Sequence, residues 1–371
     1  MKIAFALSFF ICSVLFNWVG QQVVLADEPL SVTDKNKTSE VDRLKFTVGV
    51  RAIFQDSRGD YWLGSPGEGL CRYDGEVFEY FTTKDGLADD QILTIQEDAQ
   101  GAIWIDTQRG VSRYAGDAFV SFPETQPPSA FKSTLALPDN LLEPWRKSDA
   151  DLWFSAGTRE GVFRYDGQQI RYLPFPNPRT SVTGSAYAVT GFSPGKSNVL
   201  WISTYAGVFG YNGDNLTIIN DETLGYSEPD NRIHVRSVLE DSQGRLWIGN
   251  NGIGVLLKEG DTIVNFSKEH GKLLPMEAFE SNTLAKRFSA NTGLQSVFAL
   301  AEDCHGNIWF GDRDTGAWRY DGKALVNFTI DEKLGSQMIL DIYEDQKQNL
   351  LFAMAKGGVY QFNGSTFERR F

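Results

Sequence analysis

The sequence predicts an all-β chain folded as a seven-bladed β-propeller of four-stranded antiparallel blades, occupying residues 44–371. Three observations carry this. A Gly-x-x-x-x-x-Gly pattern around an apolar, aromatic strand returns seven times: GLCRYDG from Gly69, GVSRYAG from Gly110, GVFRYDG from Gly161, GVFGYNG from Gly207, GVLLKEG from Gly254, GAWRYDG from Gly316 and GVYQFNG from Gly358. A tryptophan stands a few residues ahead of six copies, at Trp62, Trp104, Trp153, Trp201, Trp247 and Trp309, with Leu351 in the seventh. The composition agrees, because 36 Gly, 13 Pro, 9 Trp, 13 Tyr and 26 Phe suit short strands and tight turns.

Each copy holds four short strands. In the first they lie around Val50–Asp56, Tyr61–Ser65, LCRYD and Val77–Phe81. Units of this length with period-2 strands match a propeller blade, whereas a helical solenoid needs a 3.6-residue period that is absent. Ahead of the tryptophan, Asp-x-x-Gly-x-x-Trp recurs at Asp56/Gly59/Trp62, Asp98/Gly101/Trp104, Asp241/Gly244/Trp247 and Asp303/Gly306/Trp309. That spacing predicts a hairpin turn. The Asp accepts backbone N–H groups, the Gly takes a left-handed conformation, and the indole lands on a buried face between blades. Acids repeated in register are scaffold.

Blade 3 departs most, with Pro144 in its first strand and Lys147 and Ala150 where Asp and Gly are expected; blade 4 has Gly191–Asn198 as an altered turn, and blade 7 replaces Gly by Gln348. Leu44–Thr47 is expected to add to the last blade and latch the ring. The longest spacing precedes Trp309, where a short amphipathic helix is expected over Met276–Phe288 within the insertion Leu273–Leu294; Glu124–Pro138 is a second rim insertion.

At the N-terminus, Lys2, an apolar run and Val24-Leu25-Ala26 predict a signal peptide over 1–26 cleaved after Ala26, with an uncleaved anchor as the alternative. Residues 27–43 are too charged to fold alone and are expected to be a linker. The mature chain is then periplasmic or secreted. Export leaves Cys71 and Cys304, which fall in non-adjacent repeats and imply no disulfide. The net charge of −13 argues against a binder of nucleic acid driven by phosphate contacts.

Residues 48–371 resemble the two-component regulator propeller repeat of extracytoplasmic sensor regions of bacterial hybrid histidine kinases. The residues that carry the likeness are QDSRGDYWLGSPGEGLCRYDGEVFEYFTTKDGL, QEDAQGAIWIDTQRGVSRYAGDAF, LEDSQGRLWIGNNGIGVLL and AEDCHGNIWFGDRDTGAWRYDG. The resemblance implies a propeller coupled to a membrane span and a kinase and sensing extracellular carbohydrates or related signals. No kinase sequence is present, so only the recognition module carries over.

No nucleophilic triad, zinc site or phosphate loop is discernible, and neither a metal nor a cofactor is expected. Cys304-His305 is the one Cys/His neighbour pair and lacks a second cluster. Function must therefore sit in loops at one rim of the channel. In the loops between second and third strands, the non-repeated donors and aromatics are Arg109, Arg159, Tyr205, Asn251, Arg313 and Lys356. First strands, whose alternate residues face the channel, add Arg51, Tyr187, Arg232, His234 and Arg236. These residues suit an acidic or hydroxyl-rich ligand.

Three functions remain open. The leading one is an exported, non-enzymatic module that binds a small molecule, a carbohydrate or a protein partner at the rim. The second is a propeller enzyme resembling streptogramin lyases, with His234 as general base beside a metal or acids. The third is an extracytoplasmic assembly scaffold docking through Leu273–Leu294.

Overall fold

The computed structural model describes residues 43–123, 148, 150–155, 157, 160–175, 187–195, 199–212, 216–226, 233–273 and 293–371. The expected signal peptide, nearly all of the linker, the insertion at 124–138, residues 274–292 with the Met276–Phe288 helix, Pro144 and Lys147 of blade 3, and residues 196–198 of the blade 4 turn lie outside the described residues. No helix among the described residues is long and apolar enough to cross a membrane.

Seven antiparallel sheets follow one another along the chain as a seven-bladed propeller. Six have four strands in sequence order, and blade 3 shows three among the described residues, Leu152–Ser155, Gly161–Tyr165 and Ile170–Pro174. The first strands are Ala52–Gln55, Ile92–Glu97, Val189–Pro194, Val235–Glu240, Val297–Glu302 and Ile339–Glu344 for blades 1, 2, 4, 5, 6 and 7. Helix is confined to single turns, Asp221–Leu224 and Phe266–Glu269, and a 3-10 turn at Thr83–Asp85.

The repeated tryptophans fill the seams between blades. Trp62 lies 5.4 Å from Tyr114 of blade 2, Trp104 lies 4.3 Å from Tyr165 of blade 3, and Trp309 lies 4.8 Å from Phe362 of blade 7. All three indoles are essentially buried, so each removes a large apolar surface from water between two sheets.

The recurring Asp does more than turn the chain. In blade 2, Asp98 Oδ1 accepts from Gln100 N and Ala102 N at 3.0 and 2.9 Å, while Oδ2 accepts from the Trp104 indole at 2.8 Å. Asp56, Asp241 and Asp303 bind Trp62, Trp247 and Trp309 in the same way, at 3.0, 2.8 and 2.8 Å. One carboxylate thus locks the turn and sets the indole's rotamer. Blade 4 lacks this Asp, and Trp201 instead donates to Glu240 of blade 5 at 2.5 Å.

Ring closure differs from the expected latch. Leu44–Thr47 forms no strand: Leu44 is buried against Leu351, Ala353, Val359 and Phe371, Lys45 N donates to the Tyr80 hydroxyl at 2.8 Å, and Thr47 N donates to Glu68 at 2.6 Å. Blade 7 already has four strands of its own, so no open position is left for a latch strand. Blades 7 and 1 join through a backbone bond, Val50 N donating to Met354 O at 2.9 Å, and through side chains, with Asp341 accepting from Ile53 N at 2.9 Å and Asp345 from the Tyr61 hydroxyl at 2.6 Å.

Cys71 and Cys304 are both free. Burial pushes the Cys71 thiol up to about 12, whereas Cys304 is exposed at the blade 6 turn, its sulfur 3.2 Å from His305 Nδ1.

Candidate functional site

A regular backbone frame sets out the rim. Where the second strand ends in blades 2, 4, 5, 6 and 7, the next residue's N–H bonds to the carbonyl of the residue just before the first strand of its own blade: Gln108 to Gln91, Tyr205 to Ala188, Asn251 to His234, Arg313 to Ser296, and Ala355 to Met338. Tyr205, Asn251 and Arg313 therefore occupy one structural position on the consecutive blades 4, 5 and 6. Buried polar residues immediately before them hold the loops. Thr204 Oγ1 donates to Gly207 O, Asn250 Oδ1 accepts from His234 N at 3.2 Å, and Asp312 accepts from Ser296 N and Thr315 N at 2.8 and 2.9 Å. Burial raises the Asp312 carboxyl above its ordinary range.

A second ring lies one step down the channel. Each first strand of blades 2, 4, 5, 6 and 7 slips its register by one residue near its start, between Ile92/Thr94, Val189/Gly191, Val235/Ser237, Val297/Ala299 and Ile339/Asp341. The skipped residues are Leu93, Thr190, Arg236, Phe298 and Leu340; Arg51 holds the corresponding place before the Ala52–Gly64 pair of blade 1. All six are half-buried, whereas the residue preceding each is fully buried in five of these blades. A bulge re-aims a side chain, and here it turns these residues into the channel.

The two rings meet on blades 4 to 6. The His234 ring stands edge-on to Tyr205 at 5.0 Å, and Asn251 Nδ2 lies 3.4 Å from His234 Nδ1. Arg313 Nη1 donates to Asn251 Oδ1 at 3.1 Å, with its other face paired to Asp314 at 2.7 Å. The Arg236 guanidinium lies 4.1 Å from the Phe298 ring centre and 5.2 Å from that of Tyr205. Burial, reinforced by the Arg236 charge, holds the His234 imidazole below its ordinary range, so it is neutral at pH 7. Burial also lowers Arg236 and Arg51. The nearby Arg313 charge adds to this at Arg236, and the Arg236 charge adds to it at Arg51.

Of the residues singled out in the sequence, five thus come together, Tyr205, His234, Arg236, Asn251 and Arg313, and a sixth, Arg51, holds the same ring position as Arg236 and feels its charge. Arg109 and Lys356 do not join them. Each sits one residue beyond the frame position, which turns it outward. Arg109 is 79% exposed and paired with Asp89 at 3.2 Å, and Lys356 is exposed. Tyr187 is a correction: it is 2% exposed, packed edge-on to Phe209 in the core, because it precedes the first strand of its blade by two residues and points outward from the channel. Arg159 and Arg232 lie outside the described residues. Phe298 was missed by strand alternation. The signal that finds it is a β-branched residue, one variable residue, then a small or polar one: Val235-Arg236-Ser237, Val297-Phe298-Ala299, Ile339-Leu340-Asp341.

Among the described residues no group of three or more His, Cys, Asp or Glu could hold a metal ion. Two surface clefts, one with Arg58, Gln100 and Arg113 and one with Tyr61, Tyr73, Lys347 and Arg370, use the turns at the opposite end of the blades and contain none of the six.

A family model described as Two component regulator propeller matches residues 227–252, the stretch that contains His234, Arg236, Asn250 and Asn251. That match covers one repeat of the chain. Among solved structures, the chain is similar to the extracellular domain of BT4673 from B. thetaiotaomicron, assigned to a hybrid two component system. They share 20% identity over 88% of this chain and 40% of that one, with a TM-score of 0.60. It is also similar to the corresponding domain of BT3049 from the same organism, at 19% identity over 87% and 40% with a TM-score of 0.58. Virginiamycin B lyase from Staphylococcus aureus shares 15% identity over 86% of this chain and 97% of that one, with a TM-score of 0.57. The chain spans about two fifths of the length of the two component domains it matches. No curated protein matches it. At these identities the likeness shows the fold, a propeller shared by extracellular domains of two component systems and by a lyase.

Proposed function

We propose that this regulator propeller is an extracytoplasmic recognition module that binds a small ligand, or an exposed part of a protein partner, at the channel mouth on blades 4 to 6, and performs no chemistry there. The observation that carries this reading is the placing of Tyr205, Asn251 and Arg313 at one frame position on three consecutive blades, with His234 and Arg236 directly beneath. A scaffold that repeats its buried residues while varying its rim concentrates donors and aromatics where ligands meet a propeller. The extracellular setting of the similar two component domains supports export.

The lyase reading keeps one supporting observation, the neutral His234, which has the protonation state of a general base at pH 7. Its ring contacts Tyr205 and Asn251, and no carboxylate among the described residues orients it, which favours binding over catalysis.

A thermal-shift screen of the full chain against neutral and acidic mono- and oligosaccharides and short peptides tests the proposal. The expected result is a stabilising compound whose effect is lost in Tyr205→Ala and Asn251→Ala. A hit whose shift survives both substitutions places binding elsewhere and overturns the reading, as does turnover of a bound compound that His234→Ala abolishes.

A further inference from the structure

We propose that Arg51 and Arg236, assisted by Arg313, form an oxyanion subsite within the channel mouth that takes a carboxylate, sulfate or phosphate group of the ligand. This deepens, and rests on, the reading of the mouth as a recognition site.

The bulge ring is the starting point. In blades 2, 4, 6 and 7 its positions carry Leu93, Thr190, Phe298 and Leu340, a wall of apolar or small side chains. In blades 1 and 5 the same position carries arginine. Neither guanidinium forms an ion pair among the described residues, and Arg236 lies over the faces of Phe298 and Tyr205. Asp106 is itself poorly disposed to supply the missing charge. It is fully buried, accepts Ser155 N at 2.7 Å through one oxygen, and burial drives its carboxyl well above the ordinary range toward the neutral form. Asp314 is taken by Arg313.

Arg51 and Arg236 thus hold the same position of the half-buried ring, the Arg236 charge is felt at Arg51, and neither has a matching anion among the described residues. Arginine does not shed its proton in proteins, so the charge stays. A partly buried, uncompensated pair is costly to keep. Aromatic rings beneath a guanidinium leave its edge, with the N–H fork, directed at whatever enters the channel. A planar or tetrahedral oxyanion fits that fork bidentately, while Tyr205, His234 and Asn251 above it are placed to contact the body of the same molecule.

The test is titration of the full chain with sulfate, phosphate and glucuronate, read by calorimetry and thermal shift against sodium chloride of equal ionic strength. Glucose serves as the neutral match for glucuronate, and glucose 6-sulfate and glucose 6-phosphate distinguish the anion's source. The proposal expects saturable stabilisation by at least one anion beyond chloride, and at least about ten-fold weaker binding in the Arg51→Gln/Arg236→Gln variant. That variant should melt no lower than the parent without anion, because repulsion has been removed. Arg51→Lys, which keeps the charge but loses the fork, should retain the melting temperature and weaken the same anion about three-fold or more. Stabilisation no greater than chloride, or unchanged affinity in these variants, overturns the subsite. If anions fail while a neutral compound binds and Tyr205→Ala abolishes it, the subsite falls and the recognition reading stands; if nothing binds the mouth, both fall.

Discussion

Phe371 lies 5.5 Å from Tyr73, ring to ring and nearly perpendicular, at the seam between blades 7 and 1. At four other seams the repeated tryptophan packs against the third-strand aromatic of the next blade, Trp62 on Tyr114, Trp104 on Tyr165, Trp247 on Tyr320 and Trp309 on Phe362. Blade 7 has Leu351 instead of tryptophan, and Phe371 supplies the missing ring, contacting Tyr61 at 5.2 Å and Phe78 at 6.2 Å while remaining 6% exposed. The seam lacking a tryptophan is thus completed by a residue outside the repeat.

Phe371→Ala is therefore expected to cost about 3–5 kcal/mol of stability, the range for truncating a buried Phe. Chemical denaturation measures it. Phe371→Leu should recover more than half of the loss; a loss under about 1 kcal/mol for the alanine variant would mean that Leu44 and Leu351 hold the seam alone.

The Asp–Trp lock carries a second prediction. Asp98→Ala leaves the Trp104 indole and two turn amides without their acceptor, and should cost about 2–4 kcal/mol. Burial works against ionisation of Asp56, Asp98, Asp303 and Asp345. The bonds from Trp62, Trp104, Trp309 and Tyr61, together with turn amides, outweigh it and lower all four carboxyls. Folded values below the unfolded one mean stability that is present above about pH 4 and lost as the pH falls further. Acid titration of the melting temperature should show that limb, shallower in Asp98→Ala.

How much of this was legible in the sequence depends on which residues repeat. Blade count, the Asp–Gly–Trp turn and the scaffold role of its acids follow from periodic residues, because a repeated residue answers a repeated packing need. The latch at Leu44–Thr47 failed since nothing local says whether a segment pairs as a strand or packs by its side chains. Alternation along first strands misplaced Tyr187 and passed over Phe298, because a bulge at the start of the strand shifts the period by one. The donors that converge could be named individually, but their shared frame position appears only once the amide of Asn251 is seen to bond the carbonyl of His234.

Gln348 is the non-glycine residue with a left-handed backbone among the described residues, at φ 63°, in the turn position where Gly59, Gly101, Gly244 and Gly306 stand with φ of 97°, 80°, 76° and 79°. A side chain in that region costs roughly 1–2 kcal/mol, partly offset by the greater unfolded-state freedom of glycine. Gln348→Gly should therefore stabilise the chain by about 0.5–1 kcal/mol. Equal or lower stability in denaturant would mean that the turn imposes no strain on Gln348.

Asp341 behaves oppositely to the turn acids. Its carboxyl accepts Ile53 N across the closure seam, yet burial pushes it from 3.8 up to about 6. With the folded value above the unfolded one, the native state binds more protons between about pH 4 and 6, so this group's contribution to stability falls as pH rises through that window. Asp341→Asn keeps an oxygen to accept the Ile53 N–H and removes the charge. It should raise stability at pH 7–8 by about 1–3 kcal/mol and change it little at pH 4, the difference opening between pH 4 and 6. A pH-independent offset between the two proteins would show that the closure seam tolerates the ionised carboxylate and that amide packing alone accounts for the change.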